Sequence, residues 1–316
     1  ITFITGLASA FLVNDAVVLL FTPVIIMICA SSGLNPVPYL IAEVLSSNIG
    51  SAMTITGNPQ NMLIGINSGI PYARFMLHLL PVSIIGMLVS IFSVRLFYPK
   101  NFKHQKQIQF RENGFNYNYS SMKFSVPIFI LVVVMFFFSR SLGLSIPVIA
   151  LIGAALILIF GRIKPSRVIR EVDWVLLLFF ACLFIVVRGI EKVGIIKQFL
   201  NLGILSDNLN SLGIIHFTSL VSSQIVSNVP FAVVMLPVLK SVGSELLWLG
   251  LASASTLAGN ATIIGAMANL IVIESASAHK VKISFFEFFK VGFFTTFITL
   301  IVSLLVLYAQ MKLGWL

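Results

Sequence analysis

Charged side chains are scarce in this sequence. Asp, Glu, Lys and Arg make up 9% of its 316 residues, whereas 58% of the residues are hydrophobic. A soluble domain carries roughly a quarter charged residues, so this chain has too few polar side chains to cover a surface that faces water. Apolar runs long enough to cross a hydrocarbon core of about 30 Å recur along its whole length. The scarcity of charge argues against a soluble protein and predicts an integral membrane protein surrounded by the lipid bilayer.

Groups that serve catalysis or metal binding are also few. The two cysteines, Cys29 and Cys182, stand alone in separate apolar runs, and there are four histidines. No His and Cys cluster has the spacing of a metal site, and the sequence contains neither a phosphate-binding loop nor a nucleophile elbow. These absences argue against an enzyme and against ATP hydrolysis by this chain. An ATPase in a separate subunit is a less favoured alternative.

The net charge of +10 does not indicate nucleic-acid binding, because the basic residues lie in short stretches between apolar runs. The two most basic stretches are 95–123 and 162–170. Two membrane segments separate them, so both lie on the same side, and the positive-inside rule makes that side cytoplasmic. The sequence therefore predicts a multi-pass protein of the cell (plasma) membrane with both loops in the cytoplasm.

An internal repeat occupies most of the chain. Three pieces recur in the same order, and the residues that match are mainly Asn, Thr, Gly and Pro, which interrupt helices, rather than large apolar packing residues. The matching sets are Asn14 and Pro23 with Asn228 and Pro237; Thr54, Gly57 and Asn61 with Thr262, Gly265 and Asn269; and Ile70, Phe75 and Ser90 with Ile283, Phe288 and Ser303.

This repeat predicts the fold class and the domain organisation. We expect an all-α polytopic membrane protein of two inverted repeats, each with a re-entrant helical hairpin and a broken transmembrane helix. The expected parts are a first repeat at 1–97, a basic cytoplasmic linker at 98–123, scaffold helices at 124–211 and a second repeat at 212–316. The second repeat is preceded by scaffold segments and the first is not, so we expect roughly a hundred residues of further scaffold before Ile1.

The first broken segment has groups that bind ions. Gly57 and Pro59 weaken the helical hydrogen-bond ladder, and Asn58, which precedes a proline, is disfavoured in helix. Freed carbonyls and Asn amide oxygens suit a small cation such as Na⁺, and freed N–H groups at helix starts suit an anion. The candidate binding residues of the two copies are Asn14, Asp15, Asn48, Thr54, Thr56, Gly57, Asn58, Asn61, Ser227, Asn228, Gly259, Asn260, Thr262, Gly265 and Asn269.

Asp15 is the acid that we rank first. A carboxylate within an apolar run is costly, and it is by default a functional candidate that binds Na⁺ or carries a proton. Its counterpart in the second copy is Val229. Glu43 and Glu274, near the broken segments, are weaker candidates. The predicted Na⁺ ligands are Asn14, Asp15 and Asn228, and no cofactor is expected beyond Na⁺ or H⁺ as the coupling ion.

At these motifs the sequence resembles the ion transporter superfamily, in particular its citrate-transporter-like domain. Relatives in that group are arsenite permeases, Na⁺/H⁺ antiporters of the NhaD type and divalent anion/Na⁺ symporters. The most specific matches are Asn14-Asp15 through Thr22-Pro23, Thr56 to Asn61, Ser227-Asn228-Val229-Pro230 through Pro237, and Ile283 to Phe288. The resemblance implies paired scaffold and transport domains, a homodimer, and a transport domain that moves as a body.

The hairpin motifs differ from those of the symporter branch, whose two Ser-Asn-Thr motifs hold Na⁺ and a substrate carboxylate. Here Ser227-Asn228-Val229 lacks the Thr and Val13-Asn14-Asp15 keeps only the Asn. The Asn-Asp pair is more similar to the arsenite and antiporter branches. The leading hypothesis is a secondary transporter of a small inorganic or organic anion, arsenite-permease-like and coupled to H⁺ or Na⁺. A Na⁺/H⁺ antiporter, and a channel or non-transporting membrane scaffold, stay open as alternatives.

Overall fold

The computed structural model describes residues 1–102, 119–161, 164–172, 174–194 and 205–316. The described residues form α-helices and short 3₁₀ turns and contain no β-strand. Among the described helices, four are long and apolar enough to cross a membrane: Asn14–Ser31, Tyr72–Phe97, Leu209–Val226 and Phe285–Lys312. The predicted class, an all-α polytopic membrane protein, is confirmed.

The chain divides into two compact units. The smaller unit comprises 71–73 and the described part of 111–188, and the larger unit comprises the other described residues. The predicted division into four parts stays a prediction. Much of the predicted linker, 103–118, lies outside the described residues, as do Arg162 and residue 163 of the second basic loop.

The helices of the smaller unit are α6 (Tyr119–Phe137), α7 (Ile146–Phe160), α8 (Pro165–Glu171) and α9 (Trp174–Val193). All but the short α8 are mainly apolar, and the last residues of α9 belong to the larger unit. Helices α6 and α7 pack closely at Gly153, where an added Cβ would overlap Cγ2 of Val132. The ring of Tyr72 lies near those of Phe136 and Phe137, with centroids 5.6 and 5.0 Å away.

In the larger unit, the same order of elements occurs twice. Each half begins with two helices joined at a single non-helical residue, continues with a helix interrupted by a short irregular segment, and ends with a long helix. The first half has α1 (Thr2–Leu12), α2 (Asn14–Ser31), α3 (Val37–Ser51), α4 (Pro59–Ser68) and α5 (Tyr72–Phe97). The second half has α10 (Leu209–Val226), α11 (Asn228–Val242), α12 (Glu245–Ala258), α13 (Met267–Ala278) and α14 (Phe285–Lys312).

The joints of the two helical pairs fall immediately before the repeated asparagines. Val13 has φ 66° and ψ 126°, and Ser227 has φ 67° and ψ 163°, so neither residue continues the helix before it. The interruption expected at Pro23 does not occur, since α2 continues through it, as α11 does through Pro237. Proline is tolerated within membrane helices because neighbouring groups satisfy the freed carbonyl.

The irregular segments follow from their sequences. Asn58 is extended, with φ −154° and ψ 162°, as expected before a proline, and its side chain accepts the Asn61 N–H at 2.8 Å. Pro59 then occupies the first turn of α4, where an N–H would have no partner within the helix. The second segment, between α12 and α13, contains a 3₁₀ turn at Ile263–Gly265 and no proline.

The two halves interlock. Helix α13 of the second half packs against α2 of the first, and α4 of the first half packs against α11 of the second. Apolar residues of α2, α3, α5, α13 and α14 form one core cluster, which includes Ile25, Leu40, Val94, Val272 and Phe288. The terminal part of each broken helix therefore lies against the helical pair of the other half, while the inverted orientation of the halves stays a prediction.

Candidate functional site

The joint of the first helical pair binds to the first irregular segment. The Asn14 N–H donates to the Gly57 carbonyl at 2.9 Å. The Thr54 hydroxyl donates to the carbonyl of Ala10, one turn before Asn14. Ser47, on α3, donates to the Asn14 carbonyl at 3.3 Å. These bonds hold the start of α2 against the point where the chain leaves α3.

Matching positions make matching contacts in the second half. The Thr262 hydroxyl donates to Oε1 of Gln224, one turn before Asn228, at 2.8 Å. The Gln224 amide donates to the Ala258 carbonyl at 2.9 Å, and the Ser227 hydroxyl lies 3.5 Å from the Gly265 carbonyl. In each copy the threonine and the glycine of the sequence motif thus contact the joint of the helical pair.

One asparagine in each copy binds the carbonyls that the helix break frees. Nδ2 of Asn61 donates to the carbonyls of Ser51 at 3.3 Å and Thr54 at 3.0 Å. Nδ2 of Asn269 donates to the matching carbonyls, Gly259 at 2.7 Å and Thr262 at 2.8 Å. An irregular backbone at membrane depth requires such partners, because no water is available to the freed groups.

A chain of amide side chains connects the halves. Nδ2 of Asn14 donates to Oδ1 of Asn48 at 3.0 Å, and Nδ2 of Asn48 lies 2.8 Å from Oδ1 of Asn260 and 2.9 Å from Oδ1 of Asn269. The side chain of Asn260 donates in turn to the carbonyl of Leu45 at 3.3 Å. We call Asn14, Asn48, Asn260 and Asn269 the amide bridge.

A second contact between the halves surrounds Thr256. Nδ2 of Asn58 and Nε2 of Gln60 donate to its hydroxyl at 3.2 and 3.1 Å. The Asn58 amide also donates to Ser51 at 3.0 Å. Sequence reasoning missed Thr256 and Gln224, because both lie one or more turns before the residues that repeat. The polar interruption of an apolar run at 222–224 was the signal for Gln224.

The predicted site residues occupy two neighbourhoods and the bridge between them. Thr54, Gly57 and Asn61 surround the first joint, and the Thr56 hydroxyl lies 3.4 Å from that of Thr54. Asn228 does not join the amide bridge: its Oδ1 lies 3.4 Å from the Ser227 hydroxyl, and its Nδ2 lies over Gly259. Most of the set is buried, whereas Asp15 and Ser227 are partly exposed.

Two amide oxygens of this region have no hydrogen-bond partner among the described residues. They are Oδ1 of Asn14 and Oδ1 of Asn61, and both side chains are buried. A buried polar atom without a partner is uncommon in a native protein, so each invites an explanation such as an ion or a water. The described residues hold no cluster of three His, Cys, Asp or Glu side chains that would suit a transition metal.

The amide oxygens of this region attract cations, whereas the N-termini of nearby helices attract anions. Three of the helices that follow a break, α2, α11 and α13, begin without a side-chain cap. In contrast, α10, α12 and α14 begin with side-chain caps from Asn208, Ser244 and Ser284. The N–H groups of an uncapped first turn carry partial positive charge and attract anions.

The sequence matches a known family and several transporters. Residues 1–249 match the model of the citrate transporter family. An uncharacterised transporter of Mycobacterium tuberculosis is 29% identical over 324 residues, which cover 97% of this chain and 75% of that protein. The 46 kDa membrane protein of Mycobacterium leprae is 30% identical over 315 residues, covering 94% of this chain and 73% of the relative. A putative transporter named arsB from Dictyostelium discoideum is 25% identical over 417 residues, which cover 95% of this chain and 73% of that protein.

Proposed function

The chain belongs to the citrate transporter family and is a membrane transporter rather than an enzyme, and from this premise we propose that it is a secondary active transporter of a small anion. In this proposal it is arsenite-permease-like, coupled to H⁺ or Na⁺, and located in the plasma membrane as a homodimer. The loops at 95–123 and 162–170 face the cytoplasm.

The amide bridge is the observation that carries the proposal. It joins the start of α2, through Asn48 of α3, to Asn260 of the second irregular segment and Asn269 of α13, and the Asn14 N–H also bonds to Gly57 of the first irregular segment. A substrate or ion bound there would therefore contact both halves of the larger unit at once. Transporters with broken helices bind their cargo where such segments meet, and alternating access then moves one body around that site. The partnerless oxygens of Asn14 and Asn61 are suited to a cation.

The anion is assigned to the uncapped helix starts. The first turns of α11 and α13 lie on either side of the Ser227 to Gly265 contact and have no side-chain cap. An anion there would receive backbone N–H groups, and a cation near Asn14, Asp15 and Asn228 would neutralise it. Because an anion and a cation would neutralise each other in this region, the arrangement favours transport of the two ions together rather than transport of either ion alone.

Transport in proteoliposomes tests the proposal. Purified protein is reconstituted with an imposed pH or Na⁺ gradient, and the uptake of arsenite, citrate and phosphate is measured. Saturable uptake driven by a gradient, together with counterflow of unlabelled anion, is the expected result. Flux that rises linearly with concentration would instead identify a channel.

A Na⁺/H⁺ antiporter is the second candidate, favoured by the carboxylate of Asp15 beside Asn14 where the other copy has Val229. The same vesicles, loaded with a pH-sensitive dye, distinguish the two functions. Proton movement on addition of Na⁺, unchanged by any anion, would replace the first proposal with this one.

A further inference from the structure

Glu43 is a carboxyl group in the interior of the larger unit that the site described above does not use. It lies in the middle of α3 with none of its surface exposed. Both of its carboxyl oxygens are 3.1 Å from the hydroxyl of Thr22, on α2, and Thr22 is fully buried too. Glu274, the other acid singled out near the broken segments, is exposed on α13.

The surroundings of Glu43 are apolar. The residues next to Glu43 on α3 belong to the apolar core cluster. Ile25 and Ile26, which follow Thr22 on α2, belong to the same cluster. Within the described residues, no basic side chain lies within ion-pairing distance of the Glu43 carboxyl. The neighbours on α3 are Leu40, Ile41, Ala42, Val44 and Leu45.

Several charged and titratable groups on the helices around α3 are engaged with other partners. Arg74 of α5 pairs with Glu245 of α12 at 2.7 Å, His78 of α5 bonds to Gln310, and Glu287 of α14 accepts from Tyr98. The hydrogen bonds of the Glu43 carboxyl itself go to Thr22. The remaining titratable groups on these helices are Asp15 and Cys29 on α2, Tyr39 on α3, Tyr72 and Arg95 on α5, Glu274 on α13, and Lys290, Tyr308 and Lys312 on α14.

The repeat shows that packing does not require an acid at this place. Aligning Pro23 with Pro237 sets Thr22 opposite Leu236, and aligning Thr54 with Thr262 sets Glu43 opposite Leu251. Leu236 and Leu251 are buried, with 6% and 0% of their surface exposed. The second half therefore fills the equivalent place with two leucines, whereas the first half has a carboxyl and a hydroxyl.

Chemistry favours the neutral carboxyl at this place. A threonine hydroxyl has one hydrogen, so an ionised Glu43 would share a single donor between two oxygens, with no counter-charge. Burial of an unpaired ion is strongly unfavourable. A protonated Glu43 can instead donate its own O–H to Oγ1 of Thr22, which satisfies both groups.

We propose that Glu43 is a proton-binding site, held by Thr22, which gains and loses its proton during the transport cycle. The proton adds to one carboxyl oxygen of Glu43 and later leaves the same atom. Both residues lie on helices that carry the amide bridge, since Thr22 shares α2 with Asn14 and Glu43 shares α3 with Asn48. A proton at this pair changes the α2–α3 contact that positions the side chains of Asn14 and Asn48, which are 3.0 Å apart. The coupling part of this inference rests on the proposed transport function.

Infrared spectroscopy tests proton binding without any transport assay. Purified protein in lipid is titrated with acid and base, and the carbonyl stretch of protonated carboxyl groups is recorded. The expected result is a band that appears on acidification in the wild type, is missing in Glu43→Gln and is unchanged in Glu274→Gln. Thr22→Val should shift the pH at which the band appears, whereas Thr22→Ser should keep it. A spectrum in which Glu43→Gln removes no titrating band overturns the proposal.

Transport measurements then test the coupling. Glu43→Leu combined with Thr22→Leu copies the second half and should insert and fold with at least wild-type thermal stability. We expect Glu43→Leu and Glu43→Gln to lose uptake driven by a pH gradient and to keep counterflow, which needs no net proton movement. Full pH-driven uptake in both variants would overturn the coupling role. If the wild type transports none of the tested anions, the proposed function fails, while the infrared titration still decides whether Glu43 binds a proton.

Discussion

At the scale of single residues, Asp15 combines a carboxylate with a position directly after Asn14, at the uncapped start of α2. It is partly exposed, unlike Glu43, so a cation can reach it without crossing the core. We expect Asp15→Asn to abolish coupling to H⁺ or Na⁺ while insertion and folding stay intact. Uptake under an imposed pH or Na⁺ gradient measures this effect.

The control for Asp15 is Asp207→Asn, which changes an exposed acid in the connection before α10. Its gradient-driven uptake should equal that of the wild type. If the pH and Na⁺ dependence of Asp15→Asn is also unchanged, Asp15 has no part in the mechanism.

Gly57 allows the backbone of the first irregular segment to approach α3 closely. An added Cβ at this position would overlap the Ser51 carbonyl oxygen and lie 2.7 Å from its carbon, both of which are backbone atoms. Overpacking of this kind costs about 1–3 kcal/mol, and backbone atoms yield less than side chains do. We therefore expect Gly57→Ala to lower the thermal unfolding temperature in detergent and to abolish uptake.

Gly213→Ala is the matched control for Gly57→Ala. Its added Cβ would meet only Cδ1 of Leu304, at 3.9 Å, and it lies within a helix, where alanine is favoured over glycine. An equal loss of stability in the two variants would contradict the close approach at Gly57.

Asn269 stabilises the irregular segment through its amide N–H donors. Substitution by aspartate removes these donors while the size of the side chain stays the same. Asn269→Asp keeps the shape but turns carboxylate oxygens toward the carbonyls of Gly259 and Thr262. Each buried acceptor left unpaired costs about 1–3 kcal/mol, so we expect a destabilisation of at least ~2 kcal/mol in chemical unfolding. Asn67→Asp removes one partly exposed bond, to Leu63, and should have a much smaller effect. Similar unfolding curves for the two variants would refute the role given to Asn269.

The residues that bind the irregular segments could be predicted from sequence, but their partners could not. Asn61 and Asn269 stand out because they recur at one spacing from Thr and Gly in both copies. The bond from Asn48 to Asn269 joins residues 221 positions apart, and no local pattern specifies it. The contrast between buried Glu43 and exposed Glu274 depends equally on tertiary packing.

At the scale of helical elements, the joint at Val13 is strained. A β-branched residue rarely has positive φ, and such conformations cost about 1–3 kcal/mol. We expect Val13→Gly to raise the thermal unfolding temperature, because glycine adopts φ 66° without a steric penalty. Val13→Ala keeps the Cβ and should give a smaller change. A lower unfolding temperature for Val13→Gly than for Val13→Ala would show that the joint is not strained.

The amino-acid composition predicted only some of the points at which the helices break. Asn58 and Pro59 start α4, as their backbone preferences require, whereas α3 already ends at Ser51, before Gly57. Pro23 and Pro237, in contrast, lie inside continuous helices. The joints fall at Val13 and Ser227, where no intrinsic preference favours positive φ, so tertiary contacts at the start of α2 and at the Gly265 carbonyl determine them.

At the scale of the whole molecule, the basic residues predict its orientation in the membrane. We expect cysteines placed at Lys100 and Arg167, in a background without Cys29 and Cys182, to react with a membrane-impermeant maleimide only from the cytoplasmic side. A cysteine at Asp207 is a further exposed position for comparison. Labelling of Lys100→Cys and Arg167→Cys from opposite sides would contradict the assignment that the positive-inside rule gives.

The interlocking of the two halves has a consequence for biosynthesis. The first helical pair leaves the ribosome long before the second irregular segment exists, and the amide N–H groups of Asn48 must wait for Asn260, 212 residues later in the chain. At translation rates of about 5–20 residues per second, this wait is on the order of 10 s or more. During that time the Asn48 amide on the nascent α3 lacks the acceptors that it has in the finished protein. Polypeptides that terminate before Asn260 keep this amide unpaired, which makes them substrates for membrane quality control.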